Sequence, residues 1–250
     1  MRVITLSPSA TEVVAALGAT KLLVGVDEYS KYPVEVQALP KVGSFLAPNL
    51  EVIVGLHPTV VIVDDVQGQA AGALRDQGIA TIECAIHALP DVKTALRKVG
   101  ERLGKSSEAE AVIQQMDAAL DTARAHRLPR HPRVLAIIDR EAGGLGGLVA
   151  VGPGSYVDEL LAVVGADNVL AASGIRYPKI SLEEVLRGQP DVILDLSYAG
   201  KGGNVEVWKQ VDVPAVKQGR VIAMNEPFLV APSPRVAQAL AAISAAVTQK

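Results

Sequence analysis

Lys105-Ser-Ser-Glu-Ala-Glu-Ala-Val-Ile-Gln-Gln-Met-Asp-Ala-Ala-Leu-Asp-Thr-Ala-Arg-Ala-His-Arg127 holds neither Gly nor Pro and differs from everything around it. As an α-helix it makes about six turns, roughly 30–35 Å at the usual rise per residue. Ser107 with Glu110 reads as a capping box at its start, and Pro129 and Pro132 stop it. Ala109, Val112, Ile113, Met116, Ala119, Leu120 and Ala123 recur at helical spacing as one narrow apolar stripe. Such a helix could cross the backs of two lobes; an ordinary surface helix would carry the same stripe.

On either side of it the chain alternates between strand-like and helix-like runs. Before it come strand Val3–Leu6, a turn at Ser7-Pro-Ser-Ala, helix Thr11–Leu17 closed by Gly18, and strand Leu22–Val26. Helix Leu50–Leu56, strand Val60–Val63, helix Ala70–Gln77 and strand Ala80–Cys84 follow. After it come strand Val134–Ile138, a Gly-rich loop, helix Tyr156–Val164, helix Leu182–Arg187, and strands Val192–Leu196 and Arg220–Met224. Alternation of this kind indicates parallel sheets. A shift of 132 positions lays Leu50-Glu51 on Leu182-Glu183, Ile53 on Val185, Pro58 on Pro190, Val60 on Val192 and Ile62 on Leu194. Arg2-Val3 likewise matches Arg133-Val134, and Glu12 with Gly18-Ala19 matches Glu159 with Gly165-Ala166. Two copies at half the chain length predict two lobes of like topology rather than a solenoid. The expected fold is α/β: two Rossmann-like lobes with parallel sheets (1–104 and 129–250) joined by a single long α-helix (105–128). Ligands of open parallel sheets collect beyond the carboxyl ends of the strands, so the expected site is a cleft between such lobes.

Composition narrows the function classes. The 250 residues are 49% hydrophobic and 20% charged, with mean hydropathy +0.28, ample for a buried core. A formal charge of -3, with no basic cluster interleaved with aromatics, argues against nucleic acid. Apolar runs such as Val60–Val63 and Val192–Leu196 fall far short of the ~20 residues of a membrane helix. The chain opens at Met1-Arg-Val-Ile-Thr without a signal-peptide pattern, so an exported protein would have had its signal removed. The single cysteine, Cys84, excludes an intrachain disulfide and reads as a small apolar residue on the strand.

No catalytic constellation emerges. There is no G-x-S-x-G elbow, and His57, His87, His126 and His131 show no metal-ligand spacing. Neither a catalytic residue nor a metal nor a cofactor is expected. Gly143-Gly-Leu-Gly-Gly147 and Gly152-Pro-Gly-Ser155 leave open a nucleotide-dependent α/β enzyme, but they lack both G-x-G-x-x-G and the Walker lysine. A loop or hairpin with Ser155 as N-cap is the plainer reading. Aromatics make up only 3% of the chain, and Tyr29, Tyr32, Phe45, Tyr177, Tyr198 and Phe228 all fall in predicted loops, Phe45 and Tyr177 at equivalent repeat positions. Such rings could stack on a large, partly apolar ligand or simply plug the surface. Glu51 and Glu183 begin short helices after Asn49 and Ser181, where a carboxylate complements the helix dipole and Ser181 with Glu184 makes a capping box.

Taken together, Arg2-Val-Ile-Thr-Leu-Ser-Pro-Ser-Ala-Thr-Glu12, Val42-Gly-Ser-Phe45, Asn49-Leu-Glu-Val-Ile53, Pro58 to Val63, Tyr177-Pro178, Ser181-Leu-Glu-Glu-Val-Leu186, Pro190-Asp-Val-Ile193 and Ser233-Pro-Arg235 resemble the periplasmic vitamin B12-binding protein family. That family belongs to the helical-backbone class of ABC-importer binding proteins, which also holds siderophore and haem binders. The resemblance implies a monomeric, non-enzymatic protein outside the cytoplasm, periplasmic or lipid-anchored, that delivers a corrinoid to a membrane permease dimer. A ferric siderophore or haem is the alternative cargo. It implies ligand contacts from Ser7, Pro8, Tyr29, Phe45, Leu46, Asp64, Arg140, Tyr177, Tyr198, Glu226 and Phe228, and permease docking through Glu51 and Glu183. Asp64 stands where the B12 binders carry a tryptophan, and Glu226-Pro227 replaces their aspartate and tryptophan. Phe45 occupies the position of a haem-ligating tyrosine.

Overall fold

Val3-Ile-Thr5 forms β1, all three side chains buried, and three further strands complete its sheet. The structure, a computed structural model, describes residues 1–197 and 204–249. Its contacts fall into two units, Met1–Met116 with Ala231–Pro234, and Asp117–Val230 with Arg235–Lys250. In the first unit β1, β2 (Leu23–Val26), β3 (Val60–Val63) and β4 (Ala80–Glu83) lie in the order β2-β1-β3-β4. Every neighbouring pair is parallel, with Val3 opposite Val60 and Val60 opposite Ala80. Helices α1 (Pro8–Ala16), α2 (Leu50–Gly55), α3 (Gly68–Asp76) and α4 (Leu89–Leu103) complete the α/β alternation. Ile4, Leu6, Ile53, Val61, Val63 and Leu74 form one side's core. The unbroken apolar run of β3, buried at every residue, is what a strand covered on both faces requires.

Two local expectations are corrected here. Ser7-Pro-Ser-Ala is not a turn ahead of α1 but its beginning: the Ser7 hydroxyl accepts from Ala10 N, and Pro8 takes the first helical position. The anticipated capping box of Ser107 and Glu110 is absent. The long helix α5 spans Ser106–Ala125, and the Lys105 carbonyl already accepts from Ala109 N at 3.0 Å, so Ser107 sits inside the first turn. Glu110 turns instead to Arg97, whose Nε donates to it at 2.7 Å. The apolar stripe stands as expected, with Ala109, Ile113, Met116 and Leu120 buried. The sequence reading assigned nothing to α4, although Val92, Ala95, Leu96 and Val99 bury one face of it. Among the described residues no helix is long and apolar enough to cross a membrane.

In the second unit β5 (Arg133–Asp139), β6 (Val149–Ala150), β8 (Val192–Asp195) and β9 (Val221–Ala223) run in the order β6-β5-β8-β9, and β7 (Asp167–Asn168) pairs with β5. Its helices are α6 (Tyr156–Val164), α7 (Leu182–Gly188), α8 (Pro214–Lys217), α9 (Pro227–Val230) and α10 (Val236–Thr248). The sheet is not wholly parallel, because β6 runs antiparallel to β5. A connection of nine residues is too short for a crossover and must fold back as a hairpin. Leu135, Ile137, Ile193 and Trp208 anchor the core of this unit.

The half-chain repeat is visible in hydrogen bonds as well as in element order. Arg2 Nη2 donates to the Leu56 carbonyl at 2.7 Å, and Arg133 Nη2 donates to the Gly188 carbonyl at 2.7 Å. Each arginine thus satisfies a free carbonyl at the end of a short helix. Beyond that carbonyl, His57 and Gln189 leave the helix at positive φ, 47° and 41°, each directly before a proline that disfavours further right-handed turns. Thr59 N and Asp191 N then donate to the Arg2 and Arg133 carbonyls at 2.8 Å each. The same clasp, built twice, delivers β3 and β8 into their sheets.

Candidate functional site

All four strands of the first sheet point the same way, so the segments after them share one edge. Ser7 and Pro8 follow β1, Tyr29 follows β2, Asp64 follows β3, and Phe45-Leu46 lies in the long segment between β2 and α2. Buried Gln67 ties three of these together: its Nε2 donates to the Leu6 carbonyl at 3.1 Å and the Phe45 carbonyl at 2.7 Å, and its Oε1 accepts from Asp64 N at 2.8 Å. Sequence reasoning missed Gln67, since an isolated glutamine in a polar loop has no pattern. A second buried chain of side chains positions Tyr29. Thr5 bonds Thr11 at 2.6 Å, Thr11 bonds Ser30 at 2.7 Å, and Ser30 donates to Asp27, whose other oxygen accepts from Tyr29 N at 2.9 Å. Burial pushes the Asp27 carboxyl up. Tyr29 and Leu46 are left exposed, 60% and 83%, while Phe45 is half-buried.

Asp64 is not an open contact. Its carboxylate is buried and lies beside Asp65 and His87, with His87 Nε2 2.9 Å from Asp65 Oδ1 and 3.8 Å from Asp64 Oδ1. Burial, then contact with Asp65, pushes Asp64 up to about 6. Hydrogen bonds with Asp64 and then His87 hold Asp65 down at about 2. Sequence spacing gave His87 no partner; the fold brings the loop after β4 to the loop after β3. Cys84, just past β4, is buried and its thiol is pushed up to about 11 by desolvation. The native protein is therefore expected to resist an aromatic disulfide reagent at pH 8 and to release one thiol only in denaturant; rapid labelling of the folded chain would contradict this.

In the second unit, Tyr177 is held between backbone bonds. Ala150 N donates to the Pro178 carbonyl at 2.9 Å and Gly152 N to the Arg176 carbonyl at 2.8 Å. Gly152 permits this approach, because a Cβ there would stand 1.9 Å from the Ile175 carbonyl oxygen. Tyr177 remains 39% exposed. Arg140 is placed differently from an open cation: its Nε donates to Asp195 at 2.8 Å with both side chains fully buried. Its other nitrogens reach the carbonyls of Gly144 at 3.1 Å and Asn204 at 2.9 Å. Asp195 also accepts from Trp208 Nε1 at 3.0 Å and Ser197 N at 3.1 Å. Glu226 is exposed. Phe228 is in α9 rather than in a loop, and the Arg235 guanidinium sits 4.7 Å from its ring centroid. Tyr198 lies outside the described residues.

The glycine-rich segment offers no phosphate cradle. Residues 143–147 close the β5–β6 hairpin, where Glu141 N donates to the Gly146 carbonyl. Ser155 is the N-cap of α6, its hydroxyl accepting from Asp158 N, and Asp158 Oδ2 in turn accepts from Gly154 N at 3.0 Å. Glu51 and Glu183 are exposed in the first turns of α2 and α7, after Asn49 and the confirmed Ser181–Glu184 capping box. Among the described residues neither carboxylate makes an ion pair or a hydrogen bond.

The description "Periplasmic binding protein" belongs to a family model that matches residues 3–227. A vitamin B12-binding protein of Salmonella typhimurium is 30% identical, over 99% of this chain and 90% of that protein. The solved apo form of the periplasmic heme-binding protein RhuT from Roseiflexus sp. RS-1 is similar at 31% identity and TM-score 0.88, covering 98% of this chain and 97% of that one. The periplasmic vitamin B12 binding protein BtuF of Vibrio cholerae shares the fold, at 24% identity and TM-score 0.80 over 99% of this chain and 96% of that one. With two α/β units, a repeated helix-strand clasp and a family match along nearly its whole length, the chain belongs to the periplasmic binding protein family.

Proposed function

We propose that this protein is the solute-capturing subunit of an ABC importer, working outside the cytoplasmic membrane without catalysis, and that its cargo is a corrinoid. What carries the reading is the full-length similarity to proteins named vitamin B12-binding. The exposed rings support it: Tyr29 stands on a buried polar chain and Tyr177 on a backbone ladder, so neither must be ordered when a flat, partly apolar ligand arrives. In this role Glu51 and Glu183 meet cationic side chains of the permease. Calorimetric titration with cyanocobalamin is expected to show saturable single-site heat, weakened at least tenfold by Tyr29→Ala or Tyr177→Ala, each ring supplying about 1.5 kcal/mol or more of burial. No heat and no thermal shift at high micromolar ligand would overturn the corrinoid reading. Haem is the second reading, favoured by the similarity to RhuT; a Soret shift on adding hemin, with no response to cyanocobalamin, would establish it instead.

A further inference from the structure

We infer that Asp64, Asp65 and His87 form a binding site for one divalent transition-metal ion of the zinc class, independent of the cargo. Strands β3 and β4 are parallel neighbours with Val63 opposite Glu83, so the loops leaving their carboxyl ends emerge side by side. One loop supplies two carboxylates and the other an imidazole, and one donor atom from each lies within 4.8 Å of the other two. Tetrahedral ligands at zinc distances of about 2.0–2.1 Å stand about 3.3 Å apart. The His87 Nε2 separations of 2.9 Å to Asp65 and 3.8 Å to Asp64 bracket that figure. Shifts of about half an ångström therefore bring His87 to that spacing from each carboxylate, with an ion in the place of the hydrogen between Nε2 and Asp65.

A second observation points the same way. Asp64 is 5% exposed; its carboxylate accepts from Val66 N at 3.3 Å and, as the cap of the turn 65–67, from Gln67 N, and it also meets the Asp65 carboxyl. Two carboxyl groups in contact need either a proton or a cation between them. The frame is already rigid: Asp64 N is tied to Gln67, and His87 N donates to Asp91 Oδ2 at 3.1 Å at the head of α4. Exposure rises from Asp64 through His87 at 27% to Asp65 at 45%, so one side of the triad is walled and the other faces out. Three protein ligands with an outward fourth position suit zinc or cobalt(II). Calcium wants six to eight oxygens and magnesium an octahedron of them.

Cobalt(II) chloride titrated into ligand-free full-length protein tests the inference. Visible ligand-field bands should saturate at one equivalent and be displaced by zinc, but not by millimolar magnesium or calcium. His87→Ala and the milder His87→Gln should each abolish the bands, with far-UV circular dichroism showing an intact fold, while His126→Ala should leave them unchanged. Absence of bands, their survival in both His87 variants, or their displacement by magnesium would overturn the site. Cyanocobalamin binding is measured separately, so failure of the cargo reading leaves this result standing and the reverse.

Discussion

Arg140→Met is expected to destabilise the second unit by about 3–5 kcal/mol, the usual consequence of removing one partner from a buried ion pair. The substitution strands Asp195, which is fully buried and also accepts from Trp208 Nε1 and Ser197. For a chain of this size that corresponds to a fall in Tm of roughly 10 °C. Trp208 is the sole tryptophan, and it is fully buried against Asp195, so its fluorescence follows the second unit alone. The companion variant Arg140→Met/Asp195→Leu should recover only part of the loss, because the Trp208 indole N–H is then left without an acceptor, a cost of about 1–3 kcal/mol. A fluorescence midpoint that moves by less than about 2 °C in Arg140→Met would show that the pair is not structural, and weakened ligand binding at unchanged stability would return Arg140 to the ligand.

Glu51→Ala/Glu183→Ala is expected to leave cargo affinity within twofold of wild type while cutting transport in permease-containing vesicles by more than tenfold. Both glutamates are exposed, and each lies beside apolar side chains at matching repeat positions: Leu50 and Val54 in one unit, Leu182 and Leu186 in the other. Around Glu51 these side chains line a groove of about 340 Å³ with Ala73, Leu74 and Gln77. A carboxylate on an apolar rim is poised for a charge-assisted hydrogen bond that loses water on docking, worth about 1.5–3 kcal/mol each. Their service to the helix dipole is smaller, about 0.3–1 kcal/mol, and should appear only as a slight fall in Tm. Full transport by the double variant would leave them that structural role alone.

Where one residue type settles the backbone, the fold was legible in sequence. Gly18 takes the positive φ expected of a helix stop, Gly78 and Gly165 do the same just past α3 and α6, and Ser155 and Ser181 cap α6 and α7 as read. The repeat was legible because Pro58 and Pro190, and Arg2 and Arg133, serve identical backbone tasks in each copy. What was not legible depends on pairs that are distant along the chain. Arg140 finds Asp195, 55 residues on, and His87 finds Asp65, 22 residues back, through strand order alone. The α4 helix escaped because its buried face alternates with many charges and begins at Leu89-Pro90, which reads as a loop. The two-residue strand β6 has no periodicity to detect.

Ala231–Pro234 belong to the first unit although the residues on both sides belong to the second, and Ser233 is fully buried. Neither unit is therefore a continuous piece of the gene. As the chain leaves the ribosome, the amino-terminal unit stays four residues short until position 234 has been made, after the bulk of the second unit. Cutting the coding sequence between positions 116 and 117, inside α5, would therefore leave an amino-terminal fragment without four residues of its own unit and a carboxyl-terminal fragment carrying them as a foreign insert.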